Sequence, residues 1–188
     1  CVIEQPRADS SSPVVIVSSA VRLRSQPEGG GHVTTHYAGG FVYESTSTTE
    51  DTTLRYTSFG QGRIVAEGDA SEEQGYSGLA YEYHLTDHLG NTRIAFEPSG
   101  DSLKITQRRA YYPYGLRWAR PTGVAGQTSR NEHLYNGKEL AEELGLNWYH
   151  YGARYYDVAL ARWTEMDPAD EFHSPYTYVG NDPVNLTD

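Results

Sequence analysis

The residues best equipped for chemistry lie in one stretch, Asn147 to Pro168 (NWYHYGARYYDVALARWTEMDP). There Arg154 is followed by Asp157 and Asp167, a fixed cation with spaced carboxylates, set among Trp148, Tyr149, Tyr151, Tyr155, Tyr156 and Trp163. An arginine can orient a carboxylate or steady an oxyanion, and carboxylates can supply an acid and a base. The same residue types also fit a structural role. Asp-Pro is a common turn element whose carboxylate caps backbone N–H groups, and an arginine among tyrosines is often a stacked strut. Two histidine pairs, His32/His36 and His84/His88, have i,i+4 spacing, which converges on one metal only on a helix. On strands such pairs lie more than about 10 Å apart, so neither a metal site nor a cofactor is expected. Asp87-His88 has no serine partner in a nucleophile-elbow context, so a hydrolase triad is not supported.

Elements that could hold such residues must come from a chain of 188 residues with 37% hydrophobic content. That is below the roughly 45–50% apolar share of an ordinary domain. With one Met, one Cys and four Phe, most packing must come from Tyr, Val, Leu and Ile. Nineteen glycines and nine prolines call for many turns rather than long helices, which makes the chain β-rich. A formal net charge of −10 repels phosphate backbones, so nucleic acid is not an expected partner. The longest apolar run, Pro13 to Val17, is strand-sized and far short of the roughly 20 residues of a transmembrane helix. Cys1, the single cysteine, excludes an intrachain disulfide and a cysteine-based zinc cluster. A leading cysteine fits either a lipid-anchored mature protein or an arbitrary cut in a longer chain, and the second reading is preferred.

Along the chain, residues 1–13 read as a ragged, Pro/Ser-rich start, and Val14 to Leu23 as a first β-branched stretch. His32 to Glu44 alternates around Gly39-Gly40 as a hairpin does. Ser45 to Thr53 reads as a polar loop. Leu54 to Ala66 and Ala80 to Phe96 share one layout: aromatic strand, Gly-containing turn, arginine (Arg63, Arg93), aliphatic strand. A looser third copy spans Leu103 to Trp118, with its turn at Tyr111-Tyr112-Pro113-Tyr114-Gly115. Such repeated hairpins cover one another's apolar faces. Gly68 to Gly78 is acidic and loop-like, and residues 120–130 form a flexible connector. Asn136 to Gly145 (NGKELAEELG) is the one helix signal, stopped by Gly145. The aromatic stretch then predicts two further strands turning near Asp157 to Ala161, and a turn-rich tail folded back through Phe172, Tyr176 and Tyr178.

Long runs in a fixed order carry a resemblance. They are YHLTDHLGNTRIAF from Tyr83, YYPYG from Tyr111, YNGKELAEELGLNWYHYGARYYD from Tyr135, RWTEMDP from Arg162 and SPYTYVGNDPVN from Ser174. Across residues 32–188, and most strongly after Tyr83, the chain resembles the RHS-repeat (YD-repeat) associated core domain in its Bacteroidota form. That resemblance implies a spiral of antiparallel β-hairpins, a partial shell, ending in a C-terminal core segment: 1–31 as the start and first strand, 32–119 as hairpin repeats, 120–130 as connector, 131–188 as core. It also implies a secreted or cell-surface parent that encloses or presents a variable C-terminal polypeptide, often a toxin. Two wordings depart from the family: Val158 stands where a proline usually follows the aspartate, and Ala161 where a glycine usually precedes the arginine. Both weaken the turn expected there.

The resemblance further implies self-cleavage by an aspartic-type site, with Arg154, Asp167 and Asp188 at its motif positions. The Pro-x-Gly that would follow the third is outside these 188 residues. Two carboxyls close together titrate apart, so one can act as base toward water and the other as acid, while the arginine orients them. Asp167 and Asp188 form such a pair only if the tail folds back. The upstream repeats and the downstream polypeptide of the same parent are the expected partners, and this fragment alone is expected to be inactive. A second reading keeps the β-spiral as an adhesin or glycan-binding module without proteolysis, its partner a surface glycan or protein.

Overall fold

The computed structural model describes residues 2–5, 14–17, 20–25, 32–46, 49–67, 78–118, 129, 131–142, 145–169 and 171–188. Cys1, most of the expected connector 120–130 and the acidic stretch 68–77 lie outside them. The chain divides into two compact units, Cys1–Glu82 and Tyr83–Asp188.

The first unit is antiparallel. Val2–Gln5 (β1) pairs with Val14–Val17 (β2), so part of the expected ragged start is a strand: Val2 and Ile3 face Val17 and Ile16 in the register. Ala20–Ser25 (β3), His32–Ala38 (β4), Phe41–Thr46 (β5), Thr49–Phe59 (β6) and Gly62–Glu67 (β7) follow as consecutive antiparallel neighbours, with β8 (Gly78–Thr86) beside β7. Gly39 and Gly40 make the β4–β5 turn at φ +57° and +95°, the left-handed pair that a two-residue hairpin needs. Of the expected loop Ser45 to Thr53, the described residues are strand: β5 runs to Thr46, β6 starts at Thr49, and Thr46, Thr49, Thr52 and Thr53 are β-branched and pair across the ladder. Inside this unit Arg63 on β7 and Glu82 on β8 form a buried ion pair, Nε to Oε1 at 2.7 Å, with the guanidinium 5.1 Å from the Tyr56 ring centre.

The second unit begins within β8, whose partner Thr92–Ser99 (β9) pairs in turn with Ser102–Arg108 (β10). The expected third copy ends there. Instead of a full second strand, a short loop is closed by a single Tyr111–Arg117 bridge. Glu139–Ala141 (β11), Trp148–His150 (β12), Tyr155–Asp157 (β13) and Arg162–Trp163 (β14) then form a four-stranded antiparallel sheet. The fold is therefore all-β, as the sequence predicts, but the expected short helix is absent among the described residues. Tyr135–Gly137 is one 3-10 turn in which Asn136 and Gly137 sit at φ +50° and +67°, a conformation no helix propagates. Lys138 is already extended, and the Glu139–Ala141 register places Leu140 opposite Tyr149, where both are buried. Burial against the aromatic sheet outweighs the helix propensity of KELAEEL.

The core of this unit is built from tyrosine: Tyr135, Tyr149, Tyr156 and Tyr178 are fully buried, with Leu134, Leu140, Trp163 and Val179 around them. Burial raises the hydroxyl pKa of Tyr135 to about 12 and pushes those of Tyr149, Tyr156 and Tyr178 higher still. Their hydroxyls therefore stay protonated. Tyr135 Oη donates to the Pro113 carbonyl at 2.9 Å and Tyr156 Oη to that of Tyr114 at 2.9 Å, tethering the YYPYG loop. Gly115 lies at φ +85° with the Tyr135 ring against it; a Cβ there would be 2.7 Å from the ring carbons.

A polar knot ties the β8–β9 turn to the core. Asp87 Oδ1 accepts from the backbone N–H groups of Leu89 and Asn91, and Oδ2 accepts from the Asn91 side chain while pairing with Arg93 Nε at 3.0 Å. Asn91 Oδ1 in turn accepts from the Asn136 N–H at 2.7 Å, and the Thr92 N–H donates to the Leu134 carbonyl at 2.9 Å. The run TDHLGNTR thus fixes the 134–137 turn that feeds the four-stranded sheet.

Candidate functional site

The sheet places Arg154 in the tight connection between β12 and β13. Gly152 takes φ +92°, and the Tyr151 N–H donates to the Arg154 carbonyl at 2.9 Å, so the arginine leaves from a closed turn. After β14 the chain bends, and the tail returns alongside it. Thr177 bridges Arg162, the Trp163 N–H donates to the Tyr176 carbonyl at 3.1 Å, and the Asp167 N–H to the Pro175 carbonyl at 2.8 Å. Tyr178 then stacks on Tyr156 at 4.0 Å between ring centres. The tail folds back through Tyr178 and through Phe172, whose ring closes on Gly180, whereas the side chain of Tyr176, the third aromatic expected to hold it, is exposed.

Asp182 turns the last residues. Its carbonyl accepts from the Leu186 N–H at 3.0 Å, and its carboxylate from the Asn185 side chain at 2.8 and 3.1 Å. His88 Nε2 holds the Val184 carbonyl at 3.0 Å. The chain arrives with Asp188 beside Arg154.

All three positions implied by the resemblance meet at one guanidinium. Arg154 Nη1 lies 2.9 Å from Asp167 Oδ2, and Nη2 lies 3.3 and 3.5 Å from the two oxygens of Asp188. Arg154 and Asp167 are largely shielded, with side chains 13% and 10% exposed, whereas Asp188 is 39% exposed. The Nη1 contact is close but out of line for a hydrogen bond, so the pair is held by charge. The Asp167 carboxyl is held below the ordinary carboxylate value, first by the Ala169 N–H donating to Oδ1 at 2.9 Å and then by Arg154. The arginine beside it favours the ionised form, so Asp167 is a carboxylate at neutral pH.

Asp157, the other carboxylate of the stretch, does not join them. Its Oδ1 caps the β13–β14 turn, accepting from the Ala159 and Leu160 N–H groups at 2.8 and 3.0 Å, and Oδ2 accepts from Trp148 Nε1. That turn forms despite the two departures from the family wording. Ala161 adopts φ +56°, the conformation a glycine would take freely, and Val158 packs into the core. His36 is buried with Nε2 3.2 Å from Ser45 Oγ, and burial lowers its pKa.

The sequence does not single out Trp163. Its indole lies under the guanidinium, 4.0 Å from the Arg154 carbon to the ring centre, and is itself only 3% exposed. The usable signal is the strand register, which pairs Trp163 with Tyr156, one residue past the arginine's neighbour.

No protein-family model matches the chain. A curated protein, salivary gland surface protein 1 of Aedes aegypti, is 38% identical over 104 residues, covering 55% of this chain and 3% of that protein. Among solved structures, the TcdB2-TccC3-Cdc42 crystal structure matches over 89% of this chain at 23% identity with a TM-score of 0.66. TcdB2-TccC3-TEV gives 0.64 over the same share, and the Tc holotoxin pore of Photorhabdus luminescens gives 0.60 at 22% identity. This chain spans only 8% of each of those chains. At such identity the likeness is one of fold: over 89% of its length the chain shares the antiparallel β fold of the matching 8% of TcdB2-TccC3.

Proposed function

We propose that this chain is the C-terminal core segment of an RHS-type secreted or cell-surface shell protein, in a Bacteroidota-type setting, and that the parent encloses or presents a variable C-terminal polypeptide. The toxin context of the structural neighbours supports a toxin as that polypeptide. The parent releases it by self-cleavage at an aspartic-type site formed by Arg154, Asp167 and Asp188. The observation that carries this reading is the single guanidinium shared by two carboxylates that lie 21 residues apart in the chain. In the proposed reaction Asp167 takes a proton from water, whose oxygen attacks the peptide carbonyl. Protonated Asp188 gives its proton to the departing amide nitrogen, and Arg154 steadies the oxyanion. Because the substrate is the chain's own continuation, positioning comes with folding.

The test is a protein extended past Asp188 with its natural continuation, compared with its Asp167→Asn form on a denaturing gel. A fragment released from the first and not the second is the expected result; identical migration sinks the self-cleavage reading. The non-proteolytic alternative, a surface-recognition module, draws support from the surface protein that shares 38% identity, and it predicts no fragment from either form.

A further inference from the structure

We propose that Trp163 is a positioning residue: its indole face fixes the plane of the Arg154 guanidinium, so that Nη1 meets Asp167 while Nη2 meets Asp188. The part these three side chains play in cleavage rests on the reading above; the positioning does not.

An arginine projecting from a four-residue turn has several rotatable bonds, and ordering it costs entropy that its contacts must offset. Arg154 meets Asp167 out of hydrogen-bond line and Asp188 only at 3.3 to 3.5 Å. Neither contact is the parallel two-bond fork that fixes a guanidinium by itself. The contact with the Trp163 face at 4.0 Å does restrict the guanidinium, since a cation held over an indole face keeps its edges free for carboxylates.

The indole can serve as a reference surface because it cannot turn. Three ring edges or faces meet it at steep angles: Tyr151 at 5.0 Å and 88°, Tyr178 at 5.3 Å and 70°, and Tyr156 at 5.8 Å and 69°. Its backbone is fixed on both sides, by pairing with Tyr156 in β13 and by the hydrogen bond to the Tyr176 carbonyl in the tail. Tyr151 and Tyr178 are in turn joined through their hydroxyls at 2.8 Å, and Asn136 Nδ2 donates to both. The chain of support therefore runs from the 134–137 turn through the tyrosine core to the indole, and from the indole to the guanidinium.

The readout is the titration of the Asp167 carboxyl, followed by carbon-13 NMR in the full 188-residue chain. The charged groups at that carboxyl are Arg154 and, across the guanidinium, Asp188; the Ala169 N–H is its neutral donor. With Trp163→Leu the Asp167 midpoint rises toward the ordinary carboxylate value, and with Trp163→Phe, which keeps a ring face, it stays near wild type. A merely structural role for the indole would lower thermal stability in both variants and move neither midpoint. Should Trp163→Leu not fold, a fluorinated tryptophan at 163 keeps the shape while weakening the ring's charge distribution, and the same upward move is expected. In the protein extended past Asp188, both perturbations slow cleavage by about 3- to 30-fold, the rate equivalent of a lost cation–π contact. An unchanged Asp167 midpoint in the leucine and fluorinated forms overturns the proposal. A wild-type extended protein that never cleaves, with midpoints moving as described, overturns the proteolytic reading and leaves the positioning intact.

Discussion

Two tyrosine hydroxyls at the centre of the second unit sit in opposite circumstances, and removing each in turn separates hydrogen bonding from packing. Tyr156 and Tyr149 are both fully buried. Tyr156 Oη donates to the Tyr114 carbonyl at 2.9 Å. Tyr149 Oη is buried with no aligned partner, since the Tyr135 N–H that approaches it falls outside hydrogen-bond geometry. Replacing Tyr156 by Phe keeps the ring but strands a carbonyl, at a cost of about 1–2 kcal/mol. Replacing Tyr149 by Phe keeps the ring and removes a hydroxyl whose burial is uncompensated, so stability is unchanged or rises by up to about 1 kcal/mol. For a chain of this size the Tyr156→Phe cost corresponds to a fall in Tm of roughly 3–6 °C. All three tryptophans, Trp118, Trp148 and Trp163, lie beyond Tyr83, so urea unfolding followed by tryptophan fluorescence reports the second unit alone. Equal midpoint shifts for the two variants, or a larger loss for Tyr149→Phe, would refute the assignment of partners.

Gly115→Ala brings a Cβ within 2.7 to 2.9 Å of the Tyr135 ring at a φ of +85°, and combined backbone strain and overpacking are expected to cost about 2–5 kcal/mol; Gly145→Ala, at φ +73° with nothing within 4 Å, should lose only about 1–2 kcal/mol, both read from the same urea transitions. Burial pushes the Asp87 carboxyl up, but the Asn91 side chain, the Asn91 and Leu89 N–H groups and Arg93 more than offset this, leaving its pKa below the ordinary value. A carboxyl depressed in the folded state contributes stability that is present above about pH 4 and is lost as pH falls through its folded value. The urea midpoint should therefore drop between pH 5 and pH 3, and drop less steeply in Asp87→Asn; an identical pH dependence would remove Asp87 from that account.

The strands and the Gly39-Gly40 hairpin were legible because their signals are local: alternation, β-branching and a left-handed glycine pair. The meeting of Arg154, Asp167 and Asp188 was legible only through the motif order, because nothing in the spacing of residues 154, 167 and 188 says that a tail folds back. Two segments misled for opposite reasons. KELAEEL carries helix formers, but the preceding Asn136-Gly137 takes a left-handed turn and Leu140 is drawn into the tyrosine core. Ser45 to Thr53 looks too polar to pack, yet Thr46, Thr49, Thr52 and Thr53 pair in the ladder and Thr52 is buried. The place of Trp163 is not legible in the sequence because aromatic residues in a strand are ordinarily packing, and only three-dimensional placement puts the Arg154 guanidinium on its face.

The buried Arg63–Glu82 pair bears on how a chain of look-alike hairpins sorts itself during folding. Tandem hairpins with similar aromatic and aliphatic strands can trade neighbours, and a chain with 37% hydrophobic content has little apolar shape with which to tell right from wrong. A charge has no such ambiguity. If β7 closes beside any strand that does not offer Glu82 at the matching position, this buried ion pair is broken, at a cost on the order of 3–5 kcal/mol. That penalty is large enough to reject a misplaced neighbour while the hairpins are still exchanging. The pair thus acts as a proofreading mark, giving β7 and β8 an address that their apolar residues alone do not spell.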